Sequence, residues 1–60
     1  MNEEDRILAF LTGRDKIPTT QIARLLGLDY YITRYILNQL EQKGSLKKTT
    51  KGRATYWVKR

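Results

Sequence analysis

The apolar period of this chain changes once, at Gly44, and that change restricts the folds open to it. Before Gly44, apolar residues recur at helical spacing; after it, through SLKKTT and ATYWVKR, they alternate. Helices followed by extended segments indicate the α+β class, because a hairpin is marginal in water unless it leans on other elements. The 60 residues leave room for one domain, residues 1–60. A chain this short buries only about 60% of its unfolded surface, so very few side chains must form the core.

Local signals divide the chain further. Asn2 followed by Glu3, Glu4 and Asp5 predicts a capped helix from about Glu3 to Thr12, with Ile7, Leu8, Phe10 and Leu11 facing the core and Gly13 ending it. In RDKIP, residues 14–18, Ile17 can pair briefly as an edge strand. Thr19, after Pro18, is the expected N-cap of a short second helix carrying Ile22, Ala23, Leu25 and Leu26 and closed by Gly27, with Leu28 buried in the turn. Asp29 is placed to cap a third helix from Tyr30 to about Gln42, stopped by Gly44. Beyond it a hairpin is expected, with Leu46 inward, Tyr56 and Val58 on one face, Trp57 on the other, and Lys51 and Gly52 in the turn.

Composition excludes several functions. With no cysteine and no histidine, disulfides and the usual zinc ligand sets are missing, and no metal or cofactor is expected. The six acidic residues lie mostly at or near helix termini and no Gly-rich phosphate loop is present, so neither an enzyme nor a small-molecule site is expected. No apolar run approaches the roughly 18 residues a membrane span needs, and MNEEDR is acidic where a secretory signal is basic. The expectation is a soluble protein of the bacterial cytoplasm, or of nucleoplasm or cytoplasm for a viral or eukaryotic domain.

Charge points to a partner class. Residues 1–30 hold four basic and five acidic side chains, whereas residues 31–60 hold eight basic and one acidic, a contrast of −1 with +7. Such an asymmetry is the electrostatic footprint of a nucleic-acid binder; a solvated basic surface or contact with anionic lipid are the other readings of charge alone.

The segment TTQIARLLGLDYYITRYILNQLEQKGSLKK resembles the core of winged helix-turn-helix domains: a helix with an Ile-Ala pair, a Leu-Gly turn, a capped recognition helix, and Lys-Gly before the wing. The resemblance implies three helices plus a C-terminal β-hairpin wing of two or three strands. In size and plan the chain is similar to small bacterial regulators of fimbrial operons. EEDRILAFL, KGSLKK and the aromatic-Trp strand also resemble the Z-alpha family, which binds left-handed Z-form DNA or RNA. Of that family's signature, Trp57 matches, but the Asn and Tyr positions of the recognition helix fall on Arg34 and Asn38, and the wing prolines fall near Ala54 and Thr55. Ordinary duplex DNA is therefore the favoured ligand, with Z-form binding and protein docking as alternatives. One such unit offers a small interface, so a homodimer or tandem copy is expected to help affinity.

In the third helix Thr33, Ile36, Leu37 and Leu40 fall on one core-facing stripe, and Tyr30, Arg34 and Asn38 on a second line flanked by Tyr31 and Tyr35. Arg34 suits a guanine edge or a phosphate, or an intramolecular partner such as Asp29 or Asn38; Asn38 suits adenine. Tyr30 and Tyr31 stand where the helix N-terminus favours phosphate, and Tyr35 is the tyrosine expected to pack on the core. Lys47, Lys48, Lys51 and Arg53 on the wing are expected to meet nucleic acid, with Trp57 either among them or packed against the third helix.

Overall fold

A computed structural model describes residues 2–60. Its elements are α1 (Glu3–Leu11), β1 (Ile17–Pro18), α2 (Thr19–Leu26), α3 (Tyr30–Gln42), β2 (Leu46–Lys51) and β3 (Ala54–Lys59). The strands form one antiparallel sheet in the order β1-β3-β2. This is the α+β winged helix-turn-helix arrangement, with three strands rather than two. Ile17 does supply the short edge strand, opposite Trp57. Among the described residues no helix is long and apolar enough to cross a membrane.

Caps decide where the helices begin and end. Asn2 Oδ1 accepts the Asp5 N–H at 2.9 Å, and three acidic residues follow in the first turn of α1. At the end of α2, Gly27 adopts φ +67, and the Leu28 N–H donates to the Ala23 carbonyl at 2.9 Å. That six-to-one bond needs a left-handed residue just beyond the helix, which glycine adopts without a Cβ penalty. Residues 27–29 then suffice to turn the chain into α3.

Two boundary expectations are corrected. Thr19 is not the cap of α2: Pro18 holds that position without a side-chain bond, and Thr19 is the first helical residue with its hydroxyl turned into the core. The hairpin turn is Gly52–Arg53, not Lys51–Gly52, since Lys51 still pairs with Ala54. Gly52 has φ +62, as a two-residue turn with glycine at its first central position requires.

Ile7 and Leu11 of α1, Ile17, Ile22, Leu37, Leu40, Leu46 and Trp57 make the core, with Leu8, Phe10, Leu26, Leu28 and Ile36 packed against it. Leu28, expected to be buried in the turn, is half-buried, and Leu25 among the apolar residues of α2 is 57% exposed. Two turns of α2 present only a narrow stripe, and Ile22 and Ala23 already fill it.

Trp57 settles the facing of β3. It is 1% exposed, and its Nε1 donates to Thr19 Oγ1 at 2.7 Å; that hydroxyl in turn donates to the Thr55 carbonyl at 3.3 Å. A buried indole N–H without a partner would cost about 1–3 kcal/mol, so Thr19 is what allows the largest core side chain to sit at the junction of α2, α3 and sheet. Tyr56 and Val58 take the opposite, half-buried face.

Candidate nucleic-acid interface

The site is built on α3. Asp29 Oδ2 accepts the N–H groups of Tyr31 at 2.9 Å and Ile32 at 3.1 Å, fixing the start of the helix. The Thr33 hydroxyl donates back to the Asp29 carbonyl at 2.7 Å, and Thr33, Leu37 and Leu40 are buried, with Ile36 half-buried beside them. The expected core stripe is thus in place, and the remaining faces are set by helical geometry.

Tyr30, Arg34 and Asn38, four residues apart, turn toward the wing. On the wing, strand alternation places Leu46, Lys48 and Thr50 on one face, opposite Lys59, Trp57 and Thr55. Leu46 is buried under α3, so the same face carries Lys48 and Thr50 outward along the helix. Between helix and wing lies a cleft of about 340 Å³ lined by Thr19, Tyr30, Arg34, Asn38, Lys48, Thr50, Arg53, Thr55 and Trp57. A second recess of about 350 Å³ shares Thr19, Tyr30, Arg53 and Thr55 with it and adds Pro18, Thr20, Lys51 and Ala54.

Within the cleft, Lys48 Nζ donates to Asn38 Oδ1 at 3.4 Å and stands 5.9 Å from the Trp57 ring centroid. Trp57 is therefore the floor. Three cationic side chains, Arg34, Lys48 and Arg53, line the walls, and no carboxylate does. Both ion pairs among the described residues lie elsewhere: Arg6 with Glu3 within α1 at 3.9 Å, and Lys43 at the end of α3 with Glu4 of α1 at 3.2 Å. Uncompensated positive charge between low-dielectric walls concentrates an anion there.

The structure brings together Tyr30, Arg34, Asn38, Lys48, Arg53 and Trp57, places Lys51 at the tip in the adjoining recess, and leaves two expected residues outside. Lys47 pairs with Val58 on the face of the sheet turned away from the cleft. Tyr31 points outward, 73% exposed, its ring edge-on to Tyr30 with centroids 5.2 Å apart. Trp57, fully covered, offers no side-chain surface for direct contact.

Three further expectations change. Tyr35 does not pack on the core: it is 64% exposed, because it falls on the side of α3 opposite Leu37. At the N-terminus of α3 the Asp29 carboxylate takes two of the free N–H groups, those of Tyr31 and Ile32, so an approaching anion meets a like charge there. Arg34 pairs with neither Asp29 nor Asn38, both of which have other partners. Ile32, which no sequence signal placed, is 55% exposed. Thr50 and Thr55 were missed as cleft residues; counting in twos from Leu46 finds Thr50, but Thr55 follows only from the pairing register.

This fold recurs in solved structures. A chain from the structural study of the DNA recognition and protein interaction domains of HOP2 superposes with a TM-score of 0.90 at 22% identity, over 98% of this chain and 100% of that one. A probable transcriptional regulator from Pseudomonas aeruginosa superposes with a TM-score of 0.86 at 18% identity, over 95% of this chain but only 46% of the regulator. No curated protein sequence matches. The profile of FaeA-like proteins, however, matches residues 2–59, nearly the whole sequence, and the winged helix built on these residues belongs to the FaeA-like protein family.

Proposed function

We propose that this protein is a non-enzymatic duplex DNA-binding module of a transcriptional regulator, with α3 in the major groove and the wing along the adjoining backbone. The observation that carries this reading is the cleft between α3 and the wing, where Arg34, Lys48 and Arg53 stand with hydroxyl and amide groups and without a carboxylate. Phosphodiester oxygens are the ligand such a set of donors suits, and a basic half-chain adds the long-range attraction. The family is consistent with it, as are the DNA recognition attributed to HOP2 and the regulatory role attributed to the Pseudomonas protein.

The test is a titration of labelled B-form duplex at two salt concentrations. Affinity is expected to fall steeply as salt rises, by roughly a decade or more between 50 and 200 mM for a few phosphate contacts. Absent or salt-insensitive binding sinks the reading. The Z-form alternative is separated by circular dichroism of a CG-repeat duplex at saturating protein: the proposed function predicts an unchanged spectrum, and inversion would favour Z-form recognition instead.

A further inference from the structure

The recognition helix divides its polar work between two faces. Arg34 lies about 100° around the helix from the buried Thr33, on the side facing the wing, where its guanidinium lines the cleft with Lys48 and Arg53. Asn38 is committed to the same side, since its Oδ1 accepts from Lys48 at 3.4 Å. Tyr31 and Tyr35 each lie about 160° from Thr33, and so form the edge of α3 farthest from the core. At 73% and 64% exposure they contribute little to folding, and the Tyr31 ring stands edge-on to that of Tyr30. A helix entering a groove meets the base edges with its outermost ridge and the phosphates with its flanks.

We propose, building on the duplex-binding reading, that Tyr31 and Tyr35 are the residues that contact bases, while Arg34 and Asn38 serve the phosphodiester strand lying in the cleft. Four helical residues span about 6 Å, close to two base-pair steps of about 3.4 Å. The two rings therefore address pairs about two steps apart. Their chemistry, an apolar ring ending in one hydroxyl, fits the thymine methyl and a neighbouring acceptor better than it fits the cytosine amino group. The expected target thus carries A·T pairs at two positions separated by that spacing.

The experiment selects duplexes from a randomised pool with the wild type, Arg34→Ala, and Tyr31→Ala/Tyr35→Ala, and measures the salt dependence of each affinity. Arg34→Ala is expected to bind about tenfold more weakly, to lose about 1 from the log–log salt slope, and to select the wild-type motif. The double tyrosine variant is expected to keep the slope and lose about tenfold in preference for that motif over random duplex, with Tyr31→Phe/Tyr35→Phe retaining most of it. Both tyrosines being exposed, thermal unfolding should match the wild type within a few degrees, which separates a reading defect from misfolding. A changed motif in Arg34→Ala, an unchanged one in the double alanine variant, or wild-type binding that enriches no motif overturns the proposal. A wild type that binds no duplex at all removes the duplex-binding reading itself, and this division of labour with it.

Discussion

Thr19 shows how much of a 60-residue domain can depend on one hydroxyl. Its Oγ1 accepts from the Trp57 indole at 2.7 Å and donates to the Thr55 carbonyl, and the indole it serves is only 1% exposed. Thr19→Val keeps the shape and removes both bonds, so a loss of about 1–3 kcal/mol is expected in urea unfolding. Thr19→Ser keeps the hydroxyl and is expected to cost less than about 1 kcal/mol. Equal stability of the valine variant and the wild type would show that the bond does not hold Trp57 in place. The sequence signal at Thr19, a threonine after proline at the start of a helix, reads equally well as a cap, because caps are local and the partner here is 38 residues away.

At the scale of elements, α3 and the hairpin are fixed by different means. Asp29 satisfies two N–H groups at the start of α3, so Asp29→Ala is expected to cost about 1 kcal/mol in thermal unfolding while Asp29→Asn, which keeps a side-chain oxygen, costs only a few tenths. The hairpin depends on Gly52 at φ +62; a Cβ there meets nothing within 4 Å, so the cost of Gly52→Ala is conformational alone, about 1–2 kcal/mol. If the alanine variant unfolds with the wild type, the turn has another conformation. These elements were legible in the sequence because caps, turn glycines and period all act within a few residues. The turn was misplaced by one position because Lys51-Gly52 and Gly52-Arg53 are both acceptable, and only the pairing of Lys51 with Ala54 decides between them.

For the whole molecule, the chain's net charge of +6 is less informative than its distribution. Glu3 and Glu4 of α1 pair with Arg6 and with Lys43 at the end of α3, whereas Arg34, Lys48 and Arg53 gather in the cleft without an acid. Removing Lys48 and Arg53 together is expected to lower the salt slope of duplex binding by about 2, while Lys47→Ala, on the opposite face of the sheet, leaves it nearly unchanged. Equal effects of the two changes in a salt titration would mean that ligand approaches the wing from the other face or without preference. Sequence alone treats Lys47 and Lys48 as one basic run; the two differ only because strand residues alternate and Leu46 points under α3.

The sequence by itself determined the α+β class, the helix boundaries to within a residue or so, the core stripe of α3 and the basic half of the chain. Each rests on interactions between near neighbours or on summed charge, which survive without knowledge of the fold. Only the tertiary structure decided that Trp57 is a floor held by Thr19, that Tyr35 is exposed, and that Arg34 and Asn38 face the wing rather than outward. Those outcomes depend on where α2, α3 and the sheet meet, through contacts between residues far apart in the chain, and no local spacing encodes them.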